Sequence, residues 1–265
     1  MTNNFGSNNL DDLFADALTG GIIGAQSASL LSGNLGSVVV AGAARKDMED
    51  IVASDVTLIT VLLDASSSIA TSGLEQGVRD GYNVLVDTFM QSKERDSIML
   101  ALWTFTDTQT VVHSYMPILE ATKLDASNYS ADGATAPYDT WCQALGANIA
   151  YAQQLRNTGT PCRSIVVVIT DGDDCGSRRT TTECASLSRD LLRSEQFTLA
   201  FVGVGPEGTF RDVARSMGVP DNCIEVQAAA NPAGLRKMFH MVSQSAIRAS
   251  QAMIRPGSQA GFFTP

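Results

Sequence analysis

Asp64, Ser66 and Ser68 stand at alternate positions directly after residues 57–63, an uncharged run of β-branched residues and leucines. A strand that is apolar along its whole length is buried on both faces, and the loop leaving it lies where open α/β sheets bind their ligands. One carboxylate and two hydroxyls on that loop are hard oxygen donors of the kind that hold a hard cation. Asp and Ser after a strand also serve as turn and N-cap residues, so this stretch by itself fits either role. Two further stretches supply similar donors. Thr135 lies within Gly133-Ala-Thr-Ala-Pro-Tyr-Asp139, ahead of an amphipathic helix, and Asp171 follows a second apolar strand in Thr170-Asp-Gly172-Asp-Asp174.

Asp-x-Ser-x-Ser, a later Thr and a later Thr-Asp-Gly, in this order, resemble the metal-ion-dependent adhesion site of von Willebrand factor type A domains, and the resemblance covers roughly residues 55 to 250. It implies a doubly wound α/β fold with a mostly parallel central sheet, one antiparallel edge strand and helices on both faces. It also implies a metal site of Asp64, Ser66, Ser68, Thr135 and Asp171, with the three hydroxyls as direct ligands and the two aspartates acting largely through water. Five oxygens from three loops suit an octahedral cation, most naturally Mg²⁺, with Mn²⁺ or Ca²⁺ as alternates. A cation ligated by neutral hydroxyls stays strongly electrophilic. By the resemblance it grips an Asp or Glu of a protein partner, which makes the expected function Mg²⁺-dependent protein interaction or assembly, without catalysis.

Two enzymatic readings compete with this one. A metal-dependent hydrolase using the same cation needs a general base beside it. Of the two histidines, His113 falls in an edge strand and His240 in a C-terminal amphipathic helix, positions expected to be structural or exposed. Asp173 and Asp174 read as a solvated loop end rather than a second ion site, and no Gly-x-Ser-x-Gly elbow surrounds Ser66 to Ser68. The second reading is nucleotide binding through Gly203-Val-Gly205-Pro-Glu-Gly208, which follows a strand, opens a helix and has Glu225 downstream. Against it, the fingerprint normally uses the first strand of its unit, and Glu207 puts a negative charge where a pyrophosphate would lie.

Positioning these loops requires strands and helices in alternation. Leu74, Val78, Tyr82, Leu85, Val86 and Phe89 have the 3/4 spacing of a core-facing helix, as do Trp141, Leu145, Ile149, Ala152 and Leu155. Residues 97–105 read as a strand that turns at Thr106 to Gln109 into an antiparallel edge strand over 110–115. Residues 164–170, 197–204 and 223–226 read as further strands, separated by helices at 184–195 and 209–217. Asn231-Pro232 is an N-cap followed by Pro at the first helical position, opening a final helix.

The chain of 265 residues reads as an N-terminal arm over 1–50, a von Willebrand factor type A domain over 51–252 and a loose tail over 253–265. In the arm, Leu10, Leu13, Phe14, Ala17 and Leu18 share one helix face that must be covered, by its own domain, a partner or another copy. Residues 19–44 carry no charge, but their glycines and serines argue against a membrane span. Residues 37–42 could instead add a strand to a sheet edge. A net charge of −10 disfavours nucleic acid and anionic membranes as partners and suits a cation. Five cysteines form no Cys-x-x-Cys pair, and the aspartates before the first apolar run do not suit a secretory signal. Cys175 and Cys184 flank a polar loop and could bridge. The cysteines read mainly as thiols of a reducing compartment, the cytoplasm.

Overall fold

The computed structural model describes residues 7–32, 39, 41, 42, 55–194, 196–205, 207–228, 230–251 and 261–263. Three apolar runs become the centre of one sheet. They are β1 (Val56–Asp64), buried at every residue, β4 (Cys162–Thr170) and β5 (Phe197–Val204). β2 (Ile98–Phe105), β3 (Gln109–Pro117) and β6 (Ile224–Gln227) complete it in the order β3-β2-β1-β4-β5-β6. All pairings are parallel except β2 with β3, the expected antiparallel edge. β3 is only half-buried along most of its length, as an edge strand is.

Register decides where the chemistry falls. Asp64 pairs with Phe105 on β2, while Leu63 pairs with Ile169 on β4. Asp64 and Thr170, the next residues on each strand, therefore stand side by side at the carboxyl edge of the sheet.

Helices cover both faces. After a short helix α3 (Ser67–Thr71), α4 (Glu75–Gln91) packs against the C-terminal helix α8 (Pro232–Gln251). The approach is close because Gly81 has no side chain: a Cβ there would lie 2.2 Å from Cδ2 of Phe239. α5 (Pro137–Asn157) packs on β1 and β4 and against α6 (Thr181–Arg193), whose start is fixed by a Thr180–Glu183 capping box. α7 (Glu207–Ser216) lies beside β5 and β6.

The N-terminal apolar face meets this same domain. α1 (Ser7–Thr19) packs on α5 and α2 (Ala25–Ser32) on α6, with Leu10, Leu13, Phe14, Ala17, Ile22, Ile23 and Leu31 buried in the common core. Leu18 is 40% exposed, at the margin of that face. The buried Asp190 of α6 fastens α2: it accepts from the Gly24 N–H at 2.8 Å and the Ser27 hydroxyl at 2.6 Å, and pairs with Arg193. Of the segment read as a candidate edge strand, residues 39, 41 and 42 are helical and the others lie outside the described residues. Val39 is buried, and a Cβ on Gly42 would lie 2.0 Å from the Trp103 indole, so this stretch packs on β2 rather than pairing along an edge. Phe262, in the segment read as a tail, is also buried, edge-on to Phe263, whose N–H donates to the Asn222 carbonyl. Among the described residues, no helix is long and apolar enough to cross a membrane.

Candidate metal centre

Three loops meet at the carboxyl edge of β1 and β4. Asp64, only 2% exposed, uses one oxygen to accept from the Ser66 backbone N–H at 2.8 Å and the other to accept from the Thr170 hydroxyl. The first bond curls the chain after β1, so that Ser66 caps α3 in extended geometry and Ser68 sits one residue into that helix. Ser66 Oγ and Ser68 Oγ lie 3.0 Å apart, and Ser68 donates to Asp171 Oδ1 at 2.6 Å. Thr135, buried, reaches the same place from the loop before α5. A Cβ on Gly172 would lie 3.1 Å from Thr135 Oγ1 and 3.7 Å from Ser68 Oγ, so the bare backbone of Gly172 fits between the two hydroxyls. All five residues singled out from the sequence thus converge: four through hydrogen bonds among themselves and Thr135 through Gly172.

The loops are also tied to one another by backbone bonds that do not use the five side chains. The Asp132 N–H donates to the Ala65 carbonyl, Ser67 N–H to that of Gly133, Ala136 N–H to that of Thr106 and Cys175 N–H to that of Thr135, at 2.8 to 3.0 Å. Two further residues, Thr170 and Tyr129, shape the site. Thr170 orients Asp64 and also accepts from the Gly172 N–H at 3.1 Å. Tyr129 donates to the Asp64 carbonyl at 2.6 Å from a loop that is itself held by Glu75 and Arg79 of α4. Thr170 stands in the Thr-Asp-Gly stretch, where its position could have flagged it, but Tyr129 carries no local signal.

The electrostatics favour a cation. Burial raises the Asp64 carboxyl above its ordinary range, and burial together with the Asp64 charge raises that of Asp171 to about 6. No Lys, Arg or His among the described residues stands among the groups that shift either one. Two carboxylates pressed together without a positive partner fit a divalent ion, which would offset both the desolvation and the repulsion. Three hydroxyls and two carboxylates are hard oxygen donors, not a set for a soft metal; among the described residues no three His, Cys, Asp or Glu side chains form a metal-holding cluster.

The competing features fall elsewhere. His113 is buried and pushed to a lower pKa by burial, held between the Tyr82 hydroxyl at 3.2 Å and the Ser114 carbonyl at 3.1 Å, and His240 is exposed on α8. Neither adjoins the five residues. Asp174 accepts from the Ser177 N–H, closing its own turn. On the rim, Asp107 and Asp132 are exposed, Arg179 pairs with Glu183 at 2.9 Å, and Asp139 accepts from the backbone N–H groups of Arg178 and Arg179. In the glycine-rich turn after β5, a Cβ on Gly203 would lie 2.4 Å from Cγ of Phe210, and Gly205 takes a φ of +142°. Those glycines admit the Phe210 ring and turn the chain, which accounts for them without a nucleotide.

No family model and no curated protein matches the chain. Solved structures do match its fold. A von Willebrand factor type A protein from Catenulispora acidiphila is 17% identical over 73% of this chain and 43% of its own, with a TM-score of 0.48. The PilB minor pilin from Streptococcus sanguinis is 13% identical over 75% of this chain and 63% of its own, at 0.51. The pilus adhesin SpaC from Lactobacillus rhamnosus GG is 11% identical over 73% of this chain and 31% of its own, at 0.56. This chain therefore spans less than two thirds of each of them. At such identities the likeness speaks to architecture alone: the chain has a doubly wound α/β fold with a mostly parallel six-stranded sheet and one antiparallel edge strand.

Proposed function

We propose that this protein is a Mg²⁺-dependent protein-interaction or assembly module, without catalytic activity, that captures an Asp or Glu of a partner at Asp64, Ser66, Ser68, Thr135 and Asp171. The supporting observation is the meeting of a buried Asp64 and a half-buried Asp171, neither with a cationic partner, with three hydroxyls at the carboxyl edge of the sheet. Ser66, Ser68 and Thr135 would ligate the ion, with Asp64 and Asp171 behind them. The bound ion would supply a Lewis-acidic position for an external carboxylate. Mn²⁺ or Ca²⁺ could take its place. Neither histidine adjoins the five residues, which favours binding over hydrolysis.

The partner is a protein presenting one carboxylate, and the rim of Asp107, Asp132 and Arg178 would frame it. The domain layout is proposed as an arm over 1–50 that also offers self-association or docking surface, a domain over 51–252 and a tail over 253–265. A reducing, cytoplasmic setting is proposed from the five cysteines, all free.

Calorimetric titration tests the site. Mg²⁺ and Mn²⁺ should bind the wild-type protein saturably at one site, and Asp64→Ala or Ser66→Ala should abolish the heat while keeping a cooperative melt. Unchanged affinity in Asp64→Ala would refute the assignment.

A further inference from the structure

The polar loop between β4 and α6 made Cys175 and Cys184 the pair to consider from sequence. The structure gives Cys184 a different neighbour. Its sulfur lies 3.6 Å from that of Cys142 on α5, and both side chains are fully buried. Cys175 is exposed and its sulfur accepts from the Thr135 N–H at 3.4 Å. Sulfurs 3.6 Å apart are already in contact. A disulfide bond of about 2.05 Å would bring the two sulfurs roughly 1.5 Å closer.

The position of the contact gives it a consequence. α5 begins just after Thr135, and α6 begins just after the loop that Asp171 opens. Cys142 and Cys184 each lie near the start of their helix, so they join the ends of the two helices that carry the second and third loops of the site. We propose that Cys142 and Cys184 are a latent disulfide, a covalent modification site that, once oxidised, pins the ends of α5 and α6 together behind those loops.

The chemistry is thiol–disulfide exchange with a small-molecule disulfide. One cysteine loses its proton and attacks the reagent, releasing one thiol and forming a mixed disulfide. The second cysteine, deprotonated in turn, displaces the other half as a second thiol. Two protein thiols are oxidised by two electrons, and one external disulfide is reduced to two thiols. The contact with Cys142 and burial push the Cys184 thiol well above its usual range, so the closed protein offers little thiolate and no path for the reagent. The bond therefore forms on the folding chain or when α5 and α6 part. None of this depends on the metal.

The test uses the full-length wild-type protein, unfolded in denaturant and refolded in buffer containing oxidised glutathione or only reduced glutathione. The oxidised sample should show titratable thiols falling from five to three, and its proteolytic digest should contain one reducible cross-link joining Cys142 to Cys184. Cys175→Ala should fall from four to two with the same cross-link. Amide exchange over residues 171–180 should slow in the oxidised sample and return to the reduced rate after reductant. Five thiols remaining, or a cross-link between Cys175 and Cys184, would overturn the pairing. A correct cross-link with unchanged exchange over 171–180 would overturn the pinning.

Discussion

Thr170, which the sequence places at a strand end within Thr-Asp-Gly without a role of its own, fixes the direction in which Asp64 points. Its hydroxyl donates to one Asp64 oxygen while the Ser66 N–H satisfies the other. Groups that orient a ligand in this way typically change metal affinity by about 10–100-fold when removed. Thr170→Val should therefore weaken Mg²⁺ binding by roughly that factor, read by calorimetry, and lower stability by about 1–3 kcal/mol, read by urea unfolding, because a buried carboxylate loses a donor. Asp171 sets the pH behaviour. Its carboxyl is raised from 3.8 to about 6, chiefly by burial, so the folded protein holds that proton more tightly than the unfolded chain does. Its contribution to stability is then present at low pH and lost as pH rises through about 6. Metal binding at the proposed site should show the opposite trend, since an ion takes the deprotonated form. In EDTA, the urea midpoint of wild type should fall relative to Asp171→Asn between about pH 4 and 7, and Mg²⁺ should close that gap at the upper end. A gap independent of pH would show that Asp171 is not the group titrating.

At the scale of elements, what could be read in advance follows from how local the information is. The apolar runs of β1, β4 and β5 announce buried parallel strands, and Asn231-Pro232 announces α8 to the residue. The site loops were legible because each carries its donor next to a strand end. Tyr129 was not, since its contact with the Asp64 carbonyl spans 65 residues of sequence and its loop owes its shape to Glu75 and Arg79. Neither was the docking of α1 and α2: an amphipathic face says that something covers it, not which helix does. The Asp190 contacts that settle the matter for α2 join residues 163 and 166 positions apart. The glycine-rich turn after β5 is the converse, a local pattern with a misleading meaning. Gly203 is there for Phe210, so Gly203→Ala should destabilise the fold by about 1–3 kcal/mol through overpacking. Millimolar NAD or ATP should leave the melting temperature of wild type unchanged, whereas a ligand at about 100 times its Kd would add nearly 3 kcal/mol. A nucleotide-dependent rise would restore the turn as a phosphate site.

On the scale of the whole molecule, two surfaces compete as the place where a partner is held. One is the carboxyl edge of the sheet with its three loops. The other comprises the outer helices, where α1 and α2 share the core with α5 and α6 and leave their exposed sides outward. On the proposed function, removing the ion tells them apart. A divalent cation among three hydroxyls and two aspartates leaves room for one more oxygen, and a partner Asp or Glu entering there exchanges a neutral water for a charged ligand. Partner capture from lysate in Mg²⁺ should therefore be lost in EDTA, restored by Mn²⁺, and lost again in Thr135→Ala, a substitution that removes one hydroxyl but none of the ties between the loops. Replacing the engaged partner carboxylate by Lys should abolish capture in the same way. Arg178→Ala should weaken it less than about tenfold, since an exposed rim charge contributes about 0–1 kcal/mol. A partner held equally well in EDTA and by Asp171→Ala would move recognition off the carboxyl edge and onto the outer helices.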